Sequence, residues 1–175
     1  VFSGACGNYV LGTFNGINFE PLTPVKRMEH GTNGYAAQTW SNSPDSRKIQ
    51  ISWMASGLYP EMPFNQQLSI PVELGLKGYG ENLHITRWPI REVESLRRSS
   101  FKTDRQIISK ATPFYPETNA KLFDVEFKLT KKDAQYFYVI VRGQPLVFNF
   151  IENELNFRPS GQFKGLEDRK ASPLP

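Results

Sequence analysis

Apolar and polar residues alternate with a period of two through much of this chain, the repeat of a strand whose successive side chains point to opposite faces. Asn8-Tyr9-Val10-Leu11-Gly12-Thr13-Phe14 reads as one strand, and Asn15-Gly16 as a tight turn that needs φ > 0 at its centre. Ile17 to Pro21 is the return strand, closed by Pro21 and Pro24. A glycine-rich loop, Glu29 to Gly34, leads into a strand over Gly34 to Trp40, and Ser43-Pro44-Asp45-Ser46 turns the chain back into Lys48 to Met54. A long polar loop, Ala55 to Gln66, precedes a closing strand near Leu68 to Leu76.

The pattern changes after Gly78-Tyr79-Gly80. Leu83 to Pro89 reads as a short strand, and Ile90, Val93 and Leu96 then recur at i, i+3, i+6, with Glu92 and Glu94 near the start. That spacing predicts an amphipathic helix of about two to three turns over 90–98. Strands return after Gln106: Lys121 to Leu129 alternates cleanly, and Tyr136 to Val141 is a nearly continuous apolar run of the kind found in a central sandwich strand. Gly143-Gln144-Pro145 turns it into Leu146 to Phe150, and Glu152-Asn153-Glu154 leads to Leu155-Asn156-Phe157. The elements predict an all-β fold with one short helix.

Composition agrees and narrows the function classes. A chain of 175 residues with 39% hydrophobic and 13% aromatic residues can bury a core and is not a disordered polymer. No apolar run approaches the ~20 residues of a membrane span, so no membrane partner is expected. The net charge of +4 comes from 21 basic and 17 acidic residues that are scattered. The densest basic cluster, Arg97-Arg98 with Lys102 and Arg105, has Glu92 and Glu94 just upstream. No basic stripe interleaves with stacking aromatics, so nucleic acid is not an expected partner. Cys6 is the single cysteine, which excludes an intrachain disulfide, and with only His30 and His84 beside it neither a metal centre nor a cysteine nucleophile is expected. The chain opens on Val1-Phe2-Ser3 without an initiator Met or a signal-peptide pattern and closes on a turn-like Ala171 to Pro175. Both ends are expected to be cuts through a longer protein, and the compartment is not indicated.

The motif order carries a more specific signal. Gly34-Tyr35-Ala36-Ala37-Gln38-Thr39-Trp40, then Ile51-Ser52-Trp53-Met54, then Gln67-Leu68-Ser69-Ile70-Pro71-Val72-Glu73-Leu74, resembles the last propeller blade of glycoside hydrolase family 32, the β-fructosidases (levanases, invertases, inulinases). Tyr9 to Pro21 is similar to the outer hairpin of that family's fourth blade. The resemblance implies a partial five-bladed β-propeller (end of blade four and blade five), a short linker helix and an incomplete β-sandwich. It divides the chain into 1–80 (C-terminal part of the propeller), 81–98 (linker strand and helix) and 99–175 (partial sandwich). Later sandwich strands would follow Pro175. Uncovered strand edges and apolar faces then make self-association a further expectation.

What the resemblance implies for chemistry is mostly an absence. Family members hydrolyse β-fructofuranosyl bonds with retention, using two aspartates and a glutamate in Asn-Asp-Pro, Arg-Asp-Pro and Glu-Cys motifs. Retention needs two carboxyl groups about 5–5.5 Å apart, one kept protonated by its surroundings. None of the three motifs occurs in this sequence, and Cys6 follows Ala5, not an acid. No catalytic residue is therefore assigned, and this chain alone is expected to be inactive on sucrose or fructans. Water is the second reactant, so no cofactor is implied.

Three residues remain as candidate substrate contacts. The family often has Asp in the loop before the Tyr-Ala strand, with Lys three positions later in plant-type members; in this chain these positions are Glu29 and Thr32. Glu29 either accepts sugar hydroxyls or is a solvated loop acid. Tyr35 and Trp53 stand where family counterparts face sugar, and aromatic rings suit the C–H face of a fructose-containing oligo- or polysaccharide; core packing is the alternative for each. Trp40 reads as blade-to-blade packing. Glu73 follows Val72 where the family often has Arg, and it reads as structural. A second reading of the whole chain is a non-catalytic carbohydrate-binding or interaction module built on the sandwich.

Overall fold

A computed structural model of the chain describes residues 1–4, 6–55, 61–64, 66–116, 118–158 and 172–174. In chain order the first strands are β1 (Phe2–Ser3), β2 (Asn8–Val10), β3 (Gly12–Phe14), β4 (Phe19–Pro21), β5 (Lys26–Arg27), β6 (Gly34–Thr39) and β7 (Ile49–Met54). They are followed by β8 (Gln67–Leu68), β9 (Val72–Lys77), β10 (His84–Pro89), β11 (Tyr136–Val141), β12 (Gln144–Asn149), β13 (Glu154–Phe157) and β14 (Ser172–Pro173). The helical residues described are two short 3₁₀ segments, Gly80–Asn82 and Arg91–Leu96. The chain divides into two compact units, one of Val1–Arg91 with Ala134–Pro175 and the other of Glu92–Asp133. The architecture is all-β, as the alternation predicts.

The main sheet is an antiparallel meander in the order β10-β9-β7-β6, with β8 pairing β7 just beyond β9. Four strands in sequence order, each hydrogen-bonded to the next, are the arrangement of a propeller blade. β10 pairs with β9 along its whole length, so the sheet runs to Pro89. β7 lies at the centre, and its Ile49, Gln50 and Ser52 are buried. The closing strand is broken in two at Ser69 to Pro71, because Pro71 has no N–H for the ladder. The Ser69 hydroxyl fills that gap by accepting the Ser52 N–H at 3.0 Å, while Ser69 N–H donates to Ser52 O at 2.8 Å.

A smaller layer precedes this sheet. β1, β2 and β5 form one three-stranded sheet and β3 with β4 a hairpin. Tyr9 and Leu11 are buried, and the Thr23 hydroxyl accepts the Leu11 N–H at 3.1 Å. The Tyr9 phenol accepts the Ile85 N–H at 3.2 Å, and Lys26 Nζ donates to Glu81 O and Leu83 O, tying β2 and β5 to the last turn before β10. From Tyr136 onward, β11-β12-β13-β14 make an antiparallel four-stranded sheet, one layer of sandwich type.

Four sequence expectations change. Asn15-Gly16 is not the centre of a two-residue turn: Phe14 pairs with Phe19 across a loop of 15–18, and only Gly16 takes a positive φ, 97°. The Asn15 side chain accepts the N–H of Ile17 at 2.9 Å and of Asn18 at 2.8 Å, so Ile17 belongs to the loop tip and not to the return strand. The segment over 90–98 is a 3₁₀ helix and not an α-helix. Spacing by three is the 3₁₀ period, and Arg97 N–H bonds Glu94 O three residues back, at 3.1 Å. Lys121 to Leu129 forms no strand, and Gln106 to Asp133 carries none among the described residues. Alternation assigns faces but a strand also needs a ladder partner, and Leu122, Val125 and Phe127 remain exposed there. The polar loop of 55–66 falls partly (56–60 and 65) outside the described residues.

Candidate functional site

Tyr35 and Trp53 come together. They are opposite partners in the β6–β7 register, their ring centroids are 6.1 Å apart, and the planes are inclined by 60°. The tilted arrangement is the one that aromatic quadrupoles favour. Tyr35 is 43% exposed and Trp53 half-buried, so neither ring is enclosed in a core. Leu68 lies opposite Trp53 on β8, which extends the same face into an apolar strip with one open side. A bulge sets the ring positions. Between Tyr35 and Gln38 the register shifts by one residue, and Ala36 sits at φ 48°, a left-handed conformation that costs a non-glycine residue roughly 1–2 kcal/mol. Trp40 follows β6 and is exposed.

Glu29 sits against the opposite face of the same sheet. Its Oε1 receives Arg87 Nη1 at 2.7 Å and the Ser52 hydroxyl at 3.2 Å. Side chains alternate along β7, so Ser52 points away from the side that carries Trp53. Glu29 is thus neither a solvated loop acid nor a neighbour of the two rings. Its side chain is 14% exposed and held from several directions. Arg27 Nε donates to Glu29 O, and Arg87 Nη1 also reaches Met28 O at 3.4 Å. Gly7 and Gly34 leave the space: a Cβ on either would collide with the Glu29 side chain.

Two partners of Glu29 were not singled out by sequence reasoning. Ser52 is a polar residue within an apolar strand, and Arg87 shares with Ile85 one face of an alternating strand; both signals are visible in the sequence once the sheet order is known. Arg87 also borders a groove of about 500 Å³ with Met54, Gln67, Leu68, Ser69, Ile70 and Val72, at the break between β8 and β9. The Arg87 Nε and His30 Nδ1 atoms are buried without a hydrogen-bond partner among the described residues. Glu73 lies in β9 near Arg47, 3.9 Å from its guanidinium, as a structural acid would. No group of three or more His, Cys, Asp or Glu among the described residues is arranged to hold a metal ion.

A strand meander with an aromatic strip on one face and an ion-paired acid on the other has the form of a propeller blade. Comparison with known proteins makes the class specific. Residues 4–89 match the glycosyl hydrolases family 32 N-terminal domain. The chain is similar to a levanase of Bacillus subtilis, 32% identical over 153 residues, covering 80% of this chain and 23% of that protein. It is also similar to an invertase of Kluyveromyces lactis, 28% identical over 110 residues (57% of this chain, 18% of that protein). A sucrose-6-phosphate hydrolase of Zymomonas mobilis is 27% identical over 133 residues, 72% of this chain and 25% of that protein. The chain belongs to glycoside hydrolase family 32, and it spans about a quarter or less of the length of these relatives.

Proposed function

We propose that this chain is the closing part of a β-fructosidase, a glycosidase acting on fructose-containing sugars such as levan or sucrose. In this reading residues 1–80 belong to the propeller, 81–98 to the linker, whose strand β10 extends the blade sheet, and 99–175 to the sandwich. The paired carboxylates of a retaining mechanism lie on blades that precede Val1. The observation that carries it is the Tyr35–Trp53 pair, open on one side, within the segment that matches the family. The two rings form one wall of the sugar pocket, where C–H faces of fructosyl units rest against them. Glu29 acts on sugar only through what it holds. Its carboxylate is engaged by Arg87 and Ser52, so its task is to fix Arg87 and the loop of 29–34 beside β6.

A direct assay tests this reading. The 175-residue chain should release no fructose from sucrose, levan or inulin, and it should bind levan or inulin weakly, with millimolar affinity. Trp53→Ala should weaken that binding, measured by calorimetry or by retention on levan. Fructose release by the purified chain, or full binding by Trp53→Ala, would refute the proposal.

A further inference from the structure

We propose that the outward face of β11 is a second contact surface for a neutral fructan chain, whose sugar rings stack on Tyr136 and Tyr138. β11 has two unlike faces. Phe137, Val139 and Val141 are half-buried, and Phe137 meets Phe148 at 5.7 Å between ring centroids, with Leu155 next in the cross-strand row. That side supplies part of the apolar layer of the sheet, and Val147, in the Tyr138 row, is the buried apolar residue of the other side. The other side carries Tyr136, Tyr138 and Ile140, exposed by 44%, 56% and 67%. The two tyrosine rings are 6.4 Å apart and inclined by 37°, so they offer neighbouring faces along one strand.

The chemistry of this face selects its ligand. A phenol ring with its hydroxyl suits a solute that presents both C–H faces and hydroxyls, as a sugar does. Cross-strand register sets polar side chains beside the rings. Tyr136 aligns with Asn149 and Glu154, and Tyr138 with Val147 and Asn156. β11 itself carries no charge between Tyr136 and Val141, and the acid in the Tyr136 row, Glu154, offers acceptors to hydroxyls and repels a phosphate backbone. A second copy of the chain fits poorly. Three side chains, each burying at most ~250 Å² and already partly covered, fall short of the ~800 Å² that each partner contributes to a stable interface. The choice of a fructan over other neutral polymers rests on the proposed function; the position of the surface does not.

Affinity electrophoresis of the 175-residue chain in gels containing levan, inulin or dextran tests the inference. Levan or inulin should retard the chain. Tyr136→Ala and Tyr138→Ala should each weaken the apparent affinity about tenfold, and Tyr138→Phe should keep most of it with an unchanged circular dichroism spectrum. Trp53→Ala should leave the tyrosine-dependent part of the retardation in place. Unchanged retardation of both tyrosine variants, or none of the parent chain, overturns the inference. If Trp53→Ala alone removes binding, the β11 surface falls while the proposed function stands. Equal retardation by dextran keeps the surface and overturns its assignment to fructans. A concentration-dependent dimer in sedimentation, lost in Tyr138→Ala, assigns the face to a second copy and also overturns it.

Discussion

Removing either member of the Glu29–Arg87 pair should destabilise the blade by about 2 kcal/mol. Truncating one partner of a fully buried ion pair costs about 3–5 kcal/mol, because the other charge is left desolvated and unpaired. Glu29 is 14% and Arg87 22% exposed, so water recovers part of that loss. Glu29→Gln keeps the shape and an acceptor for Ser52, and Arg87→Met keeps most of the stem. The double variant should cost clearly less than the two single changes together, with a coupling of about 1 kcal/mol or more. The three tryptophans, Trp40, Trp53 and Trp88, all lie within or beside strands of the blade, so their fluorescence during urea unfolding follows this sheet. With an m-value of about 2 kcal/mol/M, each single variant should lower the midpoint by about 1 M. The loss should change little with salt, since a partly buried pair at 2.7 Å is poorly screened. Single variants within about 0.5 kcal/mol of the parent, or strictly additive changes, would show that Glu29 is solvated and that the close geometry contributes nothing.

Gly34→Ala should lower the same midpoint by at least as much, because its Cβ would collide with the Glu29 carboxylate; a neutral result in urea unfolding would mean that the loop can move away. Ser69→Ala should cost about 1–2 kcal/mol, since the Ser52 N–H then loses its acceptor at the strand break, and hydrogen exchange at Ser52 should accelerate. Asp45 should titrate below the usual 3.8, held down first by the Ser43 hydroxyl and then by Arg47. A depressed carboxyl stabilises the fold above its unfolded value of about 3.9 and loses that contribution as pH falls through the lower folded value. Asp45→Asn should therefore lower stability above about pH 4 and converge with the parent at lower pH, and a carbon-detected NMR titration of Asp45 with a midpoint above 4 would contradict this.

How much of the fold is legible in the sequence depends on the range of the interaction. Tyr35, Trp53 and the strands around them follow from local alternation and turn residues, and the period of two alone fixes which residues of β7 share a face. The 3₁₀ segment at Arg91–Leu96 is also written in the chain, as spacing by three, but one stripe of an α-helix shares that spacing over so short a run. Partners are not legible. Lys121 to Leu129 has a strand pattern and no ladder, and Glu29 has the composition of a loop acid yet meets Arg87, far along the chain on β10. Such pairings depend on which strands become neighbours, which is a property of the sheet order and not of any one segment.

The sheet order also explains why the two halves of the candidate site can be varied separately. β7 gives Ser52 to the Glu29–Arg87 cluster and Trp53 to the aromatic pair with Tyr35, from adjacent residues on opposite faces. A change at Trp53 removes a ring from a partly open face and leaves the ion pair intact, so its effect should appear in sugar binding with little loss of stability. A change at Glu29 or Arg87 acts first on stability and reaches the sugar only by loosening the loop that leads into Tyr35. The opposite distribution, with stability lost at Trp53 and binding alone lost at Glu29, would place the sugar on the Ser52 side of the blade and exchange the roles of its two faces.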